Sequence, residues 1–114
     1  MKNPILVPEF REYLSHNNIE ALREICEAEH PAVVAEWLSA LKPSEIWQII
    51  RHVSVELQAE IVCHLDEDVQ ADFVLGLDRK DAVSLLTGMS SDDRADLFRR
   101  LDDSQREILY PALA

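Results

Sequence analysis

Asp92 and Asp96 stand four residues apart in an acidic stretch, and charge runs of this kind usually face water. On a helix, side chains at i and i+4 lie one turn apart on the same face, so the two carboxylates could share a hard cation or its water shell. The plainer reading is a solvated first turn, because acids near a helix N-terminus are favoured by its dipole. His52 and His64 form a second candidate pair at the same position of neighbouring segments. Zinc normally takes three or four protein ligands, whereas histidine is favoured at a helix C-terminus without any metal, and that second reading is preferred. Ser90 and Ser91 beside Asp92 and Asp93 read as helix caps and not as a catalytic dyad. No nucleophile–base motif, glycine-rich phosphate loop or HExxH is present, so enzymatic activity is not expected.

Composition narrows the partners. Eleven basic residues face 22 acidic ones among 114, a net charge of −11. That field repels nucleic acid and anionic lipid and attracts cations and basic surfaces. Hydrophobic residues at 47% and only two glycines suit one folded, helical domain. Cys26 and Cys63 lie in helical patterns with apolar neighbours and read as reduced, packed thiols. The apolar stretches fall far short of the eighteen or so residues that a membrane span needs, and the first ten residues lack the pattern of a signal peptide.

The elements that would position these residues are visible as a repeat. Cut every twelve residues from His30, the chain gives HPAVVAEWLSAL, KPSEIWQIIRHV, SVELQAEIVCHL, DEDVQADFVLGL, DRKDAVSLLTGM, SSDDRADLFRRL and DDSQREILYPAL. The eighth position reads Trp37, Ile49, Ile61, Phe73, Leu85, Leu97, Leu109. The twelfth reads Leu41, Val53, Leu65, Leu77, Met89, Leu101, Leu113, and the ninth is apolar throughout. Positions eight and twelve are i and i+4, and the fifth adds Val34 and Ile46, which predicts one apolar stripe per short helix. Ile61, Phe73, Leu85 and Leu97 are expected to be buried, with Leu65, Leu77 and Leu101 beneath them. Trp37 and Trp47 read as packing residues.

Each helix has a predicted start and stop. Ser54, Asp66, Asp78, Ser90 and Asp102 stand as N-caps, and Pro31 and Pro43 occupy the first helical position, where a missing N–H does no harm. Asp81, Asp93 and Gln105 follow their caps at capping-box spacing. Gly76 and Gly88 suit left-handed residues closing helices. Two further helices are predicted over residues 9–15 and 19–28, the second opened by Asn17 with Glu20 three residues on. Helices of about two turns are unstable alone. They must stack, which makes an all-α superhelix or small α-solenoid.

Residues 21–38 (ALREICEAEHPAVVAEWL), the string of twelve-residue helices and residues 90–98 (SSDDRADLF) resemble the N-terminal cytosolic domain of MgtE-type magnesium transporters. The resemblance covers residues 9–113 and implies one domain over 1–114: two helices at 9–29, then seven repeats at 30–113. It further implies a right-handed superhelix and a regulatory domain that senses Mg²⁺ by docking on a CBS domain pair, of the same or a partner chain, through ion-bridged acidic faces that close a pore. Carried over by motif, the metal ligands would be Asp92 and Asp96 from SSDDRADLF and Glu60 from LQAEIVCHL. Two or three carboxylates alone should hold Mg²⁺ weakly, so the partner would complete the site. The resemblance places such a domain in the cytoplasm at the inner face of the membrane, without membrane insertion, as a homodimer only within the full-length transporter. A stand-alone helical interaction scaffold, similar to the superhelical middle region of flagellar motor switch proteins, is the alternative.

Overall fold

The computed structural model describes residues 6–113, with side chains from 8 to 110. Nine helices are present among them: α1 (Leu6–Ser15), α2 (Ile19–Ala28), α3 (Pro31–Leu38), α4 (Pro43–Ile50), α5 (Val55–Cys63), α6 (Glu67–Leu75), α7 (Arg79–Gly88), α8 (Ser91–Arg100) and α9 (Asp103–Leu113). The seven segments from His30 each carry one helix, α3 to α9, and no strand occurs among the described residues.

Local chemistry starts the helices much as the sequence suggests. Ser54, Asp78, Ser90 and Asp102 accept backbone N–H groups three residues on, at 2.8–3.2 Å. Gln105 returns the bond to the Asp102 N–H at 3.0 Å, completing a capping box. Three starts differ. Asn17 is not the cap of α2; it is the left-handed connector, at φ 53°, and Asn18 caps the helix by accepting from Ala21. Asp66 stands at the start of α6 without a side-chain cap bond, its own N–H donating instead to Ser39 Oγ at 3.2 Å. His30 caps α3, with Nδ1 accepting from Ala32 at 3.0 Å.

The glycines also depart from expectation. Neither is left-handed. Gly76 ends α6 at φ −82°, and Gly88 is the last residue of α7. A Cβ on Gly88 would lie 2.7 Å from Val55 Cγ1. Glycine is needed there for close approach of α7 to the first turn of α5, not for turning the chain.

Packing follows a two-helix period. α3 packs on α5, α5 on α7 and α7 on α9, while α2 packs on α4, α4 on α6 and α6 on α8. Odd and even helices thus form two stacks, and a residue's neighbour in its own stack belongs to the next repeat but one. All seven residues at position eight are buried, from Trp37 to Leu109, in one continuous core that also takes in Phe10, Leu22 and Cys26. At position twelve, Leu41, Val53, Leu65, Met89 and Leu101 are buried, but Leu77 is only half-buried; the Leu113 side chain lies outside the described residues. Position nine is fully buried as far as Leu86; Phe98 is half-buried and Tyr110 exposed, the two rings stacking 5.6 Å apart at the end of the array.

The fifth position holds a device that apolar patterning misses. After Val34 and Ile46 it reads Gln58, Gln70, Ala82, Arg94 and Arg106. The four polar side chains donate back along the chain: Gln70 to Val62 at 2.6 Å, Arg94 to Leu86 at 3.2 Å and Arg106 to Phe98 at 2.7 Å reach carbonyls at the end of the preceding helix, while Gln58 reaches Val53, in the connection ahead of α5, at 3.1 Å. The last carbonyls of a helix lack i+4 donors, so these residues satisfy acceptors where neighbouring repeats meet.

Candidate divalent-cation face

The alternation of stacks decides which acids are neighbours. Asp92 and Asp96 lie on α8, one turn apart on one face, the first exposed and the second half-buried. Asp92 stands in the first turn, after a cap supplied by Ser90, so the helix dipole favours its charge. Asp96 is paired with Arg99, one turn further on. Glu60 is exposed on α5, in the other stack. These three are not gathered into one group: among the described residues, no cluster of three or more His, Cys, Asp or Glu side chains is placed to hold a metal ion.

Asp93 of α8 and Glu60 of α5 both act electrostatically on the Cys63 thiol. Burial raises the Cys63 thiol above its ordinary value, and the carboxylates of Asp93 and then Glu60 push it in the same direction. Both therefore act on the end of α5.

Two further acids stand at repeat positions equivalent to those of Asp92 and Asp96. These occupy the third and seventh positions of their repeat, and two repeats earlier the same positions hold Asp68 and Asp72. Both are exposed on α6, which packs directly on α8. Two stacked helices therefore carry the same i, i+4 pair of aspartates. The signal is present in the sequence, at a spacing of two repeats rather than one. Nearby, Arg100 lies 3.5 Å from Glu67 and donates to Gln70, and Arg106 pairs with Asp103 at 3.3 Å.

The donor chemistry suits Mg²⁺ in part. All four groups are hard, solvent-reachable oxygens, as Mg²⁺ requires, and the ion keeps several of its waters in such sites. Each of the two helices offers one pair of carboxylates, so a second surface must supply further ligands. Asp92 and Asp96 would hold the ion from this side, with Asp96 leaving or sharing Arg99.

The histidines group differently from the reading of His52 with His64. His64, at the end of α5, faces His30, with ring centroids 6.1 Å apart. A histidine that ligates a metal through one nitrogen carries its proton on the other. His30 Nδ1 accepts the Ala32 N–H, so in the neutral ring the proton sits on Nε2, and ligation there would cost the cap of α3.

A two-stack array of short helices defines an all-α helical-repeat domain. The chain belongs to the MgtE intracellular N domain family, whose model matches residues 29–114. That family is the cytosolic N-terminal part of MgtE-type magnesium transporters. The helices α1 and α2 precede the matched region. No curated protein and no solved structure gives a significant match. Among the described residues, no helix is long and apolar enough to cross a membrane.

Proposed function

We propose that this domain is a non-catalytic, Mg²⁺-responsive regulator that docks on the CBS domain pair of its transporter and thereby helps to close the pore. The observation that carries this reading is the outward-facing pair Asp92 and Asp96 on α8, repeated as Asp68 and Asp72 on the helix stacked beside it. Between residues 60 and 107 thirteen acids face six basic residues. Such a surface is repelled by another acidic surface. Bound Mg²⁺ would supply compensating positive charge between the two. The docked state then gains population in proportion to its tighter hold on the ion, which is how a ligand shifts a two-state equilibrium. Asp92 and Asp96 present the carboxylates, the α8 cap fixes the first turn that carries Asp92, and Asp68 and Asp72 extend the field along the stack. Glu60, exposed on α5 in the other stack, is proposed as a further acid of the docking surface.

The test is protease protection of the N domain in the full-length transporter as Mg²⁺ is raised. Asp92→Asn with Asp96→Asn removes two charges while keeping side-chain size. Protection should then require more Mg²⁺ than in the wild type. Superimposable curves would remove these carboxylates from the interface and favour a scaffold indifferent to Mg²⁺ beyond general screening.

A further inference from the structure

Position six of the repeat is small almost everywhere: Ala35, Ala59, Ala71, Val83 and Ala95. Position 47 breaks that rule with a tryptophan. Trp47 is half-buried on α4, its ring centroid 6.3 Å from that of Phe73. A second departure lies beside it. Gly76 has ordinary right-handed dihedrals, and a Cβ there would meet only the Asp72 and Phe73 carbonyls of its own helix, at 3.3 and 3.6 Å. No neighbouring side chain requires glycine at that point. Leu77, the half-buried exception in the apolar stripe, is the next residue.

All three exceptions border one groove of about 580 Å³ between α4, the end of α6 and the start of α7. Trp47, Phe73 and Leu77 supply its apolar surface, and the missing side chain of Gly76 leaves its rim open. Asp78 and Asp81 stand at the α7 end, and Arg51, which closes α4, lines the same groove. Burial and the Asp78 carboxylate raise Asp81 above the usual range, although Lys80 and Arg51 lie within electrostatic reach.

We propose that this groove is a docking site for a linear segment of a partner protein that inserts an arginine side chain. The aliphatic stem packs on Leu77, the planar guanidinium lies against Trp47, and its N–H groups meet Asp78 and Asp81. Arginine fits better than lysine because its flat, weakly hydrated head stacks on an indole and bonds carboxylates in pairs. The chain's net charge of −11 draws a basic segment toward it. The site lies on α4, α6 and α7, apart from the aspartates of α8, so it stands or falls independently of magnesium-dependent docking.

The probe is N-acetyl-Leu-Arg-Leu-amide, with its uncharged citrulline counterpart as control, titrated into the ¹⁵N-labelled domain at physiological salt. The two tryptophan indoles are the reporters. The Trp47 signal should shift saturably with the arginine peptide, while Trp37, which lines a separate groove beside α2, stays still. The citrulline peptide should bind about tenfold more weakly, the loss expected of charge-assisted hydrogen bonds. Gly76→Met should block the groove, and Asp78→Asn with Asp81→Asn should weaken binding while asparagine keeps the α7 cap. Several results would overturn the proposal: no saturable shift at Trp47, equal binding of both peptides, unchanged binding in either variant, or diffuse, unsaturable shifts across the acidic surface.

Discussion

Arg100 of α8 donates to Gln70 Oε1 at 2.6 Å, while Gln70 Nε2 donates to the Val62 carbonyl of α5, also at 2.6 Å. One amide thus ties together three helices drawn from both stacks, and its side chain is 1% exposed. Gln70→Leu keeps the volume and removes both bonds, while the Val62 carbonyl keeps the Leu65 N–H and Arg100 keeps Glu67. The expected cost is about 1–3 kcal/mol, read as a lower urea midpoint with an unchanged slope. A midpoint equal to the wild type would show that the contact contributes no net stability.

Gly88 and Gly76 should respond oppositely to the same substitution. Gly88→Ala drives a methyl into Val55, whose branched side chain has little rotamer freedom, and should destabilise by about 1–3 kcal/mol. Val55→Ala in the same chain should recover most of that loss. Gly76→Ala meets no neighbouring side chain and should be close to neutral. Thermal unfolding of the wild type, Gly88→Ala, Val55→Ala, their double variant and Gly76→Ala checks the pattern. Independent effects of the Gly88 and Val55 changes would contradict the close approach of α5 and α7.

The two cysteines are both free and should both be slow to react, for graded reasons. Burial, with Glu27 adding to it, pushes the Cys26 thiol up to about 12. Cys63 is half-buried and raised by burial, Asp93 and Glu60. A raised thiol stays protonated at neutral pH, so little of the reactive thiolate is present. Alkylation by iodoacetamide should therefore be slower than for a free cysteine at pH 8, with Cys63 ahead of Cys26. The Cys63 rate should keep rising with pH past the ordinary thiol range. In Asp93→Asn that rise should move to lower pH, and an unmoved profile would place Asp93 away from the end of α5.

The helices are legible because their signals are local. Ser54, Asp78, Ser90 and Asp102 act within three residues of themselves, and the position-eight residues recur once per helix. The stacking is not legible at the twelve-residue period, which makes every helix look equivalent and does not say which two touch. Read at that period alone, Asp68 and Asp72 do not join Asp92 and Asp96, and His64 pairs with His52 rather than His30. Gln70, Arg94 and Arg106 have the composition of a solvated surface, and only the geometry shows them capping the preceding helix. Gly88 has the spacing of a helix stop, but what it meets is Val55, on a helix two repeats earlier.

The most direct test of the central claim is calorimetric titration of this domain with the CBS pair of its transporter, with and without millimolar Mg²⁺. The account predicts association that depends on Mg²⁺ and weakens in Asp92→Asn/Asp96→Asn, with a further loss when Asp68→Asn and Asp72→Asn are added. Association of equal strength without Mg²⁺, or unchanged by the four substitutions, would contradict it.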